Sequence, residues 1–286
     1  HLQQNIEECL VEIGSNQVEN DRLNALMVTT HLHWRDITIL RAYFKYLKQI
    51  HFPFDVEFLE KTLSNHPEVT QDFISLFYGF FHPRQIASTN ETQTKITQLE
   101  EKLRSVDDAN SHKILTSFMN LLLSTLRTNY FVVDKETGKN KSYISFKFDC
   151  KTLMNLPLPK PVFEIFVYSP WVEAVHLRGG KVARGGIRWS SRLDFRKEVL
   201  DLVKAQMVKN TVIVPVGAKG GFFIKNTSDT LTYEERQKQG IFCYQTMIRG
   251  LLDITDNLID SKSISPQNVV CRDTHDPYLV VAADKG

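Results

Sequence analysis

The sequence predicts a chain of two parts, a helical region over residues 1–128 followed by an α/β domain over residues 129–286. In the first part, apolar residues recur every three or four positions, which indicates amphipathic helices. In the second part, strand-like runs alternate with helical ones, an order that favours a sheet covered by helices. Two runs there, 212–216 and 279–282, are almost entirely apolar, as strands buried on both faces are.

Composition narrows the function classes. With 286 residues, 42% hydrophobic and 24% charged, the chain has the size of about two globular domains. A net charge of +2 does not indicate a nucleic-acid partner. No apolar run approaches the roughly 20 residues of a membrane span, and the first residues do not resemble a signal peptide. We therefore expect a cytoplasmic protein with no nucleic-acid and no membrane partner.

The cysteines are too scattered for a metal knuckle or a redox pair. Buried free thiols are the expected state of such residues. The sequence therefore predicts no metal site. The cysteines are Cys9, Cys150, Cys243 and Cys271.

The helical region shows apolar periodicity over residues 34–47, 73–81 and 112–126. Pro53 and Pro67 separate helices, and Pro83 ends one. Residues 88–109 are polar and have few apolar anchors, which predicts a solvated helix or a mobile connection.

The α/β part is predicted to contain helices over residues 193–209 and 233–259. Its predicted strands begin with a hairpin that turns at Thr137-Gly138. The strands are 130–133, 143–148, 162–168, 172–177, 211–216, 268–271 and 278–283.

Glycines and cations concentrate in the runs 178–188 and 217–221, with Lys209 between them. Glycine lets a backbone approach a ligand closely, and cations without equal acidic partners imply an anion, such as a dicarboxylate or a phosphate. Lys219 and Asp284 each follow a predicted apolar strand. Open α/β sheets bind ligands outside the carboxyl ends of their strands, so we expect Lys219 and Asp284 to approach one ligand.

Simpler explanations exist for each of these residues. Arg-Gly-Gly triplets occur in RNA-binding segments, but those segments are polar and of low complexity, whereas these triplets lie among apolar residues. The run 217–221 lacks the Gly-Lys-Ser/Thr ending of a phosphate loop, and no Gly-x-Gly-x-x-Gly occurs. Lys209 alone fits a favourable charge at a helix end, and Asp284 alone fits a helix cap.

The run 178–221 closely resembles the bacterial large-subunit class of NAD-specific glutamate dehydrogenases. Segments 126–131, 156–159, 163–170 and 276–286 resemble the same family, and residues 40–49 and 52–54 do so more weakly. The resemblance implies a substrate-binding domain of the amino-acid dehydrogenase type, incomplete in this chain, with the NAD-binding Rossmann domain absent from it. It also implies oxidative deamination of L-glutamate to 2-oxoglutarate and ammonia, with NAD as cofactor.

The resemblance also implies roles for individual residues. Lys219 would activate water, Asp284 would exchange a proton with the amino group, and Lys209 would bind the α-carboxylate. Arg184 stands where the family has a lysine that binds the distal carboxylate, and Lys181 is a rival for that role. The adjoining Gly185 and Gly186 would line the substrate site.

Two further expectations follow from the resemblance. The full subunit should form a homo-oligomer, a tetramer or hexamer, and this fragment alone should be inactive. Two alternatives stay open, a dehydrogenase for an apolar amino acid and a non-catalytic anion-binding module. The surplus of cations near Arg184 favours a dicarboxylic substrate, and the pairing of Lys219 with Asp284 favours an enzyme.

Overall fold

The computed structural model describes residues 2–85, 87–209, 216–225, 227–228, 230–277 and 279–283, and only the backbone of 206–209 and 280–283. The chain forms two compact units, His1–Leu123 and Ser124–Gly286. The first strand of the sheet, Thr125–Thr128, belongs to the second unit, whereas the sequence places it before the boundary.

The first unit is helical, as predicted. The three apolar segments form helices that share a core, since the Phe118 ring lies 6.5 Å from Tyr43 and 6.2 Å from Phe73. The polar stretch is also a helix, and a capping box of Ser88 and Glu91 begins it. Its helices are α1 (Leu2–Gly14), α2 (Leu26–Thr29), α3 (Trp34–Gln49), α4 (Val56–Asn65), α5 (Pro67–Phe81), α6 (Thr89–Arg104) and α7 (Ala109–Ser124), with a 3-10 turn at Arg22–Ala25.

The second unit contains a mixed sheet, which confirms the α/β prediction. Its strands are β1 (Thr125–Thr128), β2 (Ile144–Asp149), β3 (Phe163–Tyr168), β4 (Val172–Arg178), β5 (Ala183–Ser190), β6 (Val216–Ile224) and β9 (Val280–Ala283). They lie in the order β1-β2-β3-β4-β6-β5-β9. Neighbours from β1 through β4 to β6 are antiparallel, while β5 is parallel to both β6 and β9. A separate hairpin joins β7 (Asn257–Ile259) and β8 (Lys262–Ile264).

One helix covers each face of this sheet. Helix α9 (Tyr233–Asp253) contributes Met247 and Leu251 to a core shared with Val167, Ile187 and Phe222 of the strands. Helix α8 (Phe195–Lys209) packs on the opposite face, where Phe195 stacks on Phe223 at 6.5 Å. Because successive strand residues point to opposite faces, each residue of the sheet belongs to an α8 face or an α9 face.

Three element predictions are wrong. Residues 130–133 form a turn with one isolated bridge, Val133 to Asn140, instead of a strand. Residues 268–271 form no strand, and Asn268 has a φ of 60° that a strand does not permit. The long helix ends at Asp253, and residues 257–259 are β7. The predicted strand 211–216 lies mostly outside the described residues; Val216 begins β6.

No helix in the described part of the chain is long and apolar enough to cross a membrane.

Candidate active site

Lys219 lies inside a strand, not after one. It is the fourth residue of β6, and it pairs with Leu177 of β4. The glycines around Lys219 are required by helix packing on the strand. A Cβ on Gly220 would lie 2.9 Å from Met247 Cε of α9, and one on Gly221 would lie 2.4 Å from Val199 Cγ2 of α8. The glycines allow both helices to press closely on the strand.

Strand alternation assigns Lys219 to the α8 face. The Gly221 contact with Val199 and the Phe223 contact with Phe195 show that odd-numbered residues of β6 face α8. Lys219 is two residues from Gly221 and so lies on the same face, where its side chain is half-buried.

Arg184 of β5 lies on this same face and near Lys219. Arg188 and Ser190 of β5 both contact Glu198 of α8, at 2.8 and 2.6 Å, so even-numbered residues of β5 face α8. Arg184 pairs in register with Gly217 of β6 on one side and with Val280 of β9 on the other. Its side chain is exposed and has no ion-pair or hydrogen-bond partner among the described residues.

Lys181, the rival for the distal carboxylate, differs from Arg184 in its contacts. Its Nζ donates to Thr274 Oγ1 at 3.1 Å, and its carbonyl accepts a hydrogen bond from Arg178. Lys181 precedes β5, and its side chain already makes a hydrogen bond with the 272–277 segment.

Gly185 and Gly186 occupy the centre of the parallel strands. They pair with Val281 and Ala282 of β9. A Cβ on Gly185 would lie 1.5 Å from the Ala218 carbonyl oxygen, a position no side chain can take. The close approach of β5 to β6 therefore requires glycine at 185 whether or not a ligand is bound.

The structure places Lys209 at the last residue of α8. Phe195 lies over Phe223 and Val199 over Gly221, so the helix runs antiparallel to β6. At about 1.5 Å of rise per residue, its end lies toward the part of β6 that carries Gly217 and Lys219. The backbone thus brings Lys209 to the same end of the same face as Lys219 and Arg184.

Asp284 lies outside the described residues, so the predicted approach of Lys219 and Asp284 to one ligand remains a prediction. The residue before it, Ala283, pairs with Ile187 of β5, and Ile187 pairs with Gly220 of β6. The last described position of β9 is therefore in the row next to Lys219.

Two other cations of the Gly-rich region have acidic partners, so the predicted excess of positive charge is smaller than the sequence suggests. Arg188 pairs with Glu198 at 2.8 Å, and Arg178 pairs with Asp276 at 2.6 Å. Such pairs do not require an external anion. Arg184 differs from them, because the described residues show no acidic partner for it.

Six buried ionised residues form a group on the α9 face that no sequence pattern predicts. We call it the charge cluster. Its members are Arg127, Lys147, Arg178, Asp256, Asp273 and Asp276. None of these side chains is more than 10% exposed, and the ion pairs join them at 2.5–2.6 Å. Three positive and three negative charges balance, so the cluster needs no anion.

The cluster controls the ionisation of its members. Burial alone would raise the pKa of Asp276, but its hydrogen bonds with Arg178 and the charge of Lys147 hold the pKa below its ordinary value. The pKa of Asp256 is lowered in the same way, by Arg127 against the effect of burial. His176, beside the cluster, is buried and near Arg178, which lowers its pKa to about 3. It is neutral at neutral pH.

The part of the chain that the structure describes contains no group of three or more His, Cys, Asp or Glu side chains arranged to hold a metal ion.

Comparisons with known proteins agree with this architecture. Residues 98–286 match the family model described as bacterial NAD-glutamate dehydrogenase, catalytic domain, and residues 18–83 match glutamate dehydrogenase, helical motif 3. A protein of Halomonas elongata named NAD-specific glutamate dehydrogenase is 48% identical over 280 residues, covering 98% of this chain and 17% of its own length.

Relatives of the same name in Pseudomonas aeruginosa and Mycobacterium tuberculosis are 48% and 44% identical over 290 residues, covering 100% and 98% of this chain. The chain spans 18% of the length of each. The first family model covers the chain from residue 98 to residue 286, and each of these relatives is at least 44% identical to it. The chain belongs to the bacterial NAD-glutamate dehydrogenase family.

Proposed function

We propose that this chain supplies the substrate-binding and proton-transfer groups of an enzyme that deaminates L-glutamate oxidatively to 2-oxoglutarate and ammonia. The observation that carries the proposal is the α8 face at the start of β5 and β6. Arg184, Lys219 and the end of the helix that carries Lys209 meet there. The relatives' names agree with this activity.

Two of these cations fit the two carboxylates of glutamate. We assign the α-carboxylate to Lys209 and the distal carboxylate to Arg184, whose guanidinium can bind a carboxylate through two parallel hydrogen bonds. Arg184 is preferred to Lys181 because Lys181 already donates to Thr274, whereas Arg184 has no such partner among the described residues. An apolar amino acid would leave the Arg184 charge without a counter-ion, so a dicarboxylic substrate fits better.

Lys219 and Asp284 are assigned the proton transfers. After Cα of glutamate has lost a hydride, the substrate is an imine, and a water molecule adds to that carbon while Lys219 takes a proton from the water. Asp284 then gives a proton to the nitrogen, the hydroxyl group of the adduct releases its proton to water as the C–N bond breaks, and ammonia and 2-oxoglutarate leave. Both groups would act as general acid and base at one carbon.

The described residues do not provide a dinucleotide site. A phosphate-binding loop needs exposed backbone amides ahead of a helix, whereas Gly220 and Gly221 are buried within β6 against Met247 and Val199. The sequence also contains no Gly-x-Gly-x-x-Gly. NAD is therefore assigned to parts of the enzyme outside this chain, and residues 1–286 alone are expected to show no turnover.

We further propose that the full subunit forms a homo-oligomer, a tetramer or hexamer, in the cytoplasm. All four cysteines are free thiols, which suits a reducing compartment. Ile259 and Ile264 are exposed on one face of the β7–β8 hairpin, where they give an apolar surface of the kind that interfaces cover.

Steady-state kinetics on the full-length enzyme test the proposed roles. Lys219→Ala should lower kcat by about 100-fold or more, because it removes a general base. Lys209→Ala should mainly raise the Michaelis constant for glutamate, because it removes a binding charge.

Lys204→Ala is the matched control. Lys204 lies on the same helix and makes only a half-exposed pair with Asp201 at 3.4 Å, so both constants should stay within about twofold. Equal losses of kcat with unchanged Michaelis constants in Lys219→Ala and Lys209→Ala would contradict the assigned roles.

A further inference from the structure

The charge cluster joins the segment before β9 to three strands of the sheet, β1, β2 and β4. Arg127 of β1 donates to Asp273 Oδ1 at 2.6 Å and to the Thr274 carbonyl at 3.0 Å. Lys147 of β2 contacts both Asp273 and Asp276 at 2.6 Å. Residues 273–276 are thus fixed to strands on the far side of the sheet from β9, four residues before β9 begins.

Asp276 is the branch point of these contacts. One of its carboxylate oxygens contacts both Lys147 and Arg178 at 2.6 Å, and the other accepts from Arg178 at 3.1 Å. Its backbone N–H donates to Asp256 Oδ2 at 2.6 Å. Asp256 in turn accepts from Arg127.

Through Arg178 the same carboxylate also reaches β5. Arg178 donates to the carbonyl of Lys181, in the turn that leads into β5, and Lys181 Nζ donates to Thr274 Oγ1. Asp276 therefore links the entry to β9 with the entry to β5. Arg184 lies on β5, and Asp284 comes directly after β9 in the sequence; the two strands pair from Arg184 and Val280 onward.

The chemistry of the cluster suits positioning better than stability. A buried ion pair contributes little net stability compared with apolar side chains of the same volume, because removing its charges from water is costly. Its hydrogen bonds nevertheless permit only one arrangement of the groups they join. Because the cluster is buried and paired, it fixes the relative positions of the strands and the segment that carry its members.

We propose that the charge cluster positions β9 against β5, so that Asp284 and Arg184 meet the same substrate, and that Asp276 is its central positioning residue. The inference rests on the proposed function. None of the six residues touches the substrate; each acts through the strands that it holds. Misplacing a reacting group by about 1 Å can lower a rate by about 100-fold.

The test is a double-mutant cycle in the full-length enzyme, measuring kcat with L-glutamate and NAD. Asp276→Asn keeps the size of the side chain and removes its charge. It should lower kcat by about 10-fold or more, with a smaller change in the Michaelis constant for glutamate. In an Asp284→Ala background the same substitution should lower kcat less than about twofold, because the group it positions is already gone.

The control is Asp21→Asn in the helical unit. Asp21 makes the same kind of pair, with Arg41 fully buried and contacts at 2.8 and 2.9 Å. Asp21→Asn should leave kcat within about twofold in both backgrounds. Circular dichroism at the assay temperature establishes that each variant is folded. If Asp276→Asn does not fold, Asp273→Asn, at 10% exposure, replaces it under the same criteria.

Three outcomes decide the matter. A large loss in the wild-type background and a small one in the Asp284→Ala background support positioning. Equal fold-losses in both backgrounds, or a folded variant with wild-type kcat, overturn it. If the wild-type enzyme does not oxidise glutamate, or Asp284→Ala keeps wild-type kcat, it is the proposed function that fails.

Discussion

Both faces of the sheet carry cations, but these cations differ in burial and in whether a carboxylate contacts them. On the α9 face, Arg127, Lys147 and Arg178 are at most 2% exposed, and each contacts one or two carboxylates. On the α8 face, Arg184 is exposed, and the described residues offer it no partner. The α8 face holds paired cations too, since Arg188 contacts Glu198 at 2.8 Å and buried Arg196 contacts Glu164 at 2.7 Å. Arg184 differs from all of these in being both exposed and without an acidic partner among the described residues, and so available to a ligand.

The difference shows that a count of cations in a sequence does not by itself predict an anion site. A buried cation is tolerated only when carboxylates compensate the loss of water, so its partners are built into the fold. A cation that can bind a substrate has to keep some exposure and lack a permanent counter-ion. The comparison can be tested by removing the same charge from each face.

The largest expected effect comes from a matched pair of substitutions. Arg127→Met should lower the free energy of unfolding by about 3–5 kcal/mol, because it leaves Asp256 buried without its cation and removes one of the two cations that contact Asp273. Arg184→Met should change it by less than about 0.5 kcal/mol, since the side chain is exposed. Urea unfolding of the 1–286 chain, followed by circular dichroism, measures both. Similar losses in the two variants would break the comparison between the faces.

A pH dependence of stability should come from the α9 face. The pKa of His176 is lowered to about 3 by burial and by Arg178, while the unfolded chain takes up this proton below about pH 6.5. The unfolded state then binds more protons, so stability should fall by up to about 1.4 kcal/mol per unit as the pH drops from 6.5 toward 3.

Two features sharpen this test. His176→Leu should flatten the slope in that window, and it should not create a new unpaired group, because neither ring nitrogen of His176 has a hydrogen-bond partner among the described residues. Asp256 and Asp276 have lowered pKa values, so the stability they provide is present above about pH 4 and is lost below it. Urea unfolding at pH 4.5, 5.5 and 7 separates the two effects; an unchanged slope in His176→Leu would contradict the assignment.

A smaller effect is expected from the glycine under α8. Gly221→Ala places a Cβ 2.4 Å from Val199 Cγ2, so α8 has to shift. The substitution should cost about 1–3 kcal/mol, and in the full-length enzyme it should raise the Michaelis constant for glutamate, because α8 carries Lys209. Gly14→Ala is the control, since nothing lies within 4 Å of its Cβ position. Equal stabilities of the two variants would contradict the packing described here.

The sequence predicts regular elements well where their periodicity is strong. Helices α3, α5 and α8 and strands β2 to β4 lie within a few residues of their predicted positions. The prediction fails where glycine can either end a strand or allow close packing within one. The predicted strand ends at residue 216, before the glycines of 217–221, but packing between two helices requires those glycines inside a strand.

The site is predictable only in part. Lys219, Lys209 and Arg184 stand out because the residues around them resemble a known family. The charge cluster does not stand out, because its partners are 98, 129 and 146 residues apart in sequence. No local pattern pairs Arg178 with Asp276 or Arg127 with Asp273. Their pairing depends on how the strands are ordered in the sheet.

The central claim is that the α8 face binds a dicarboxylate and that Arg184 holds its distal carboxylate. The most direct test compares kcat/KM of the full-length enzyme for L-glutamate and for L-norvaline, which keeps the carbon chain but lacks the distal carboxylate. Arg184→Met should lower the value for glutamate by about 100-fold, the effect of losing a charged hydrogen-bonding pair, and leave norvaline within about threefold. Lys181→Met should change neither value by that much. Equal losses for both substrates in Arg184→Met, or a loss for glutamate found in Lys181→Met instead, would contradict the account.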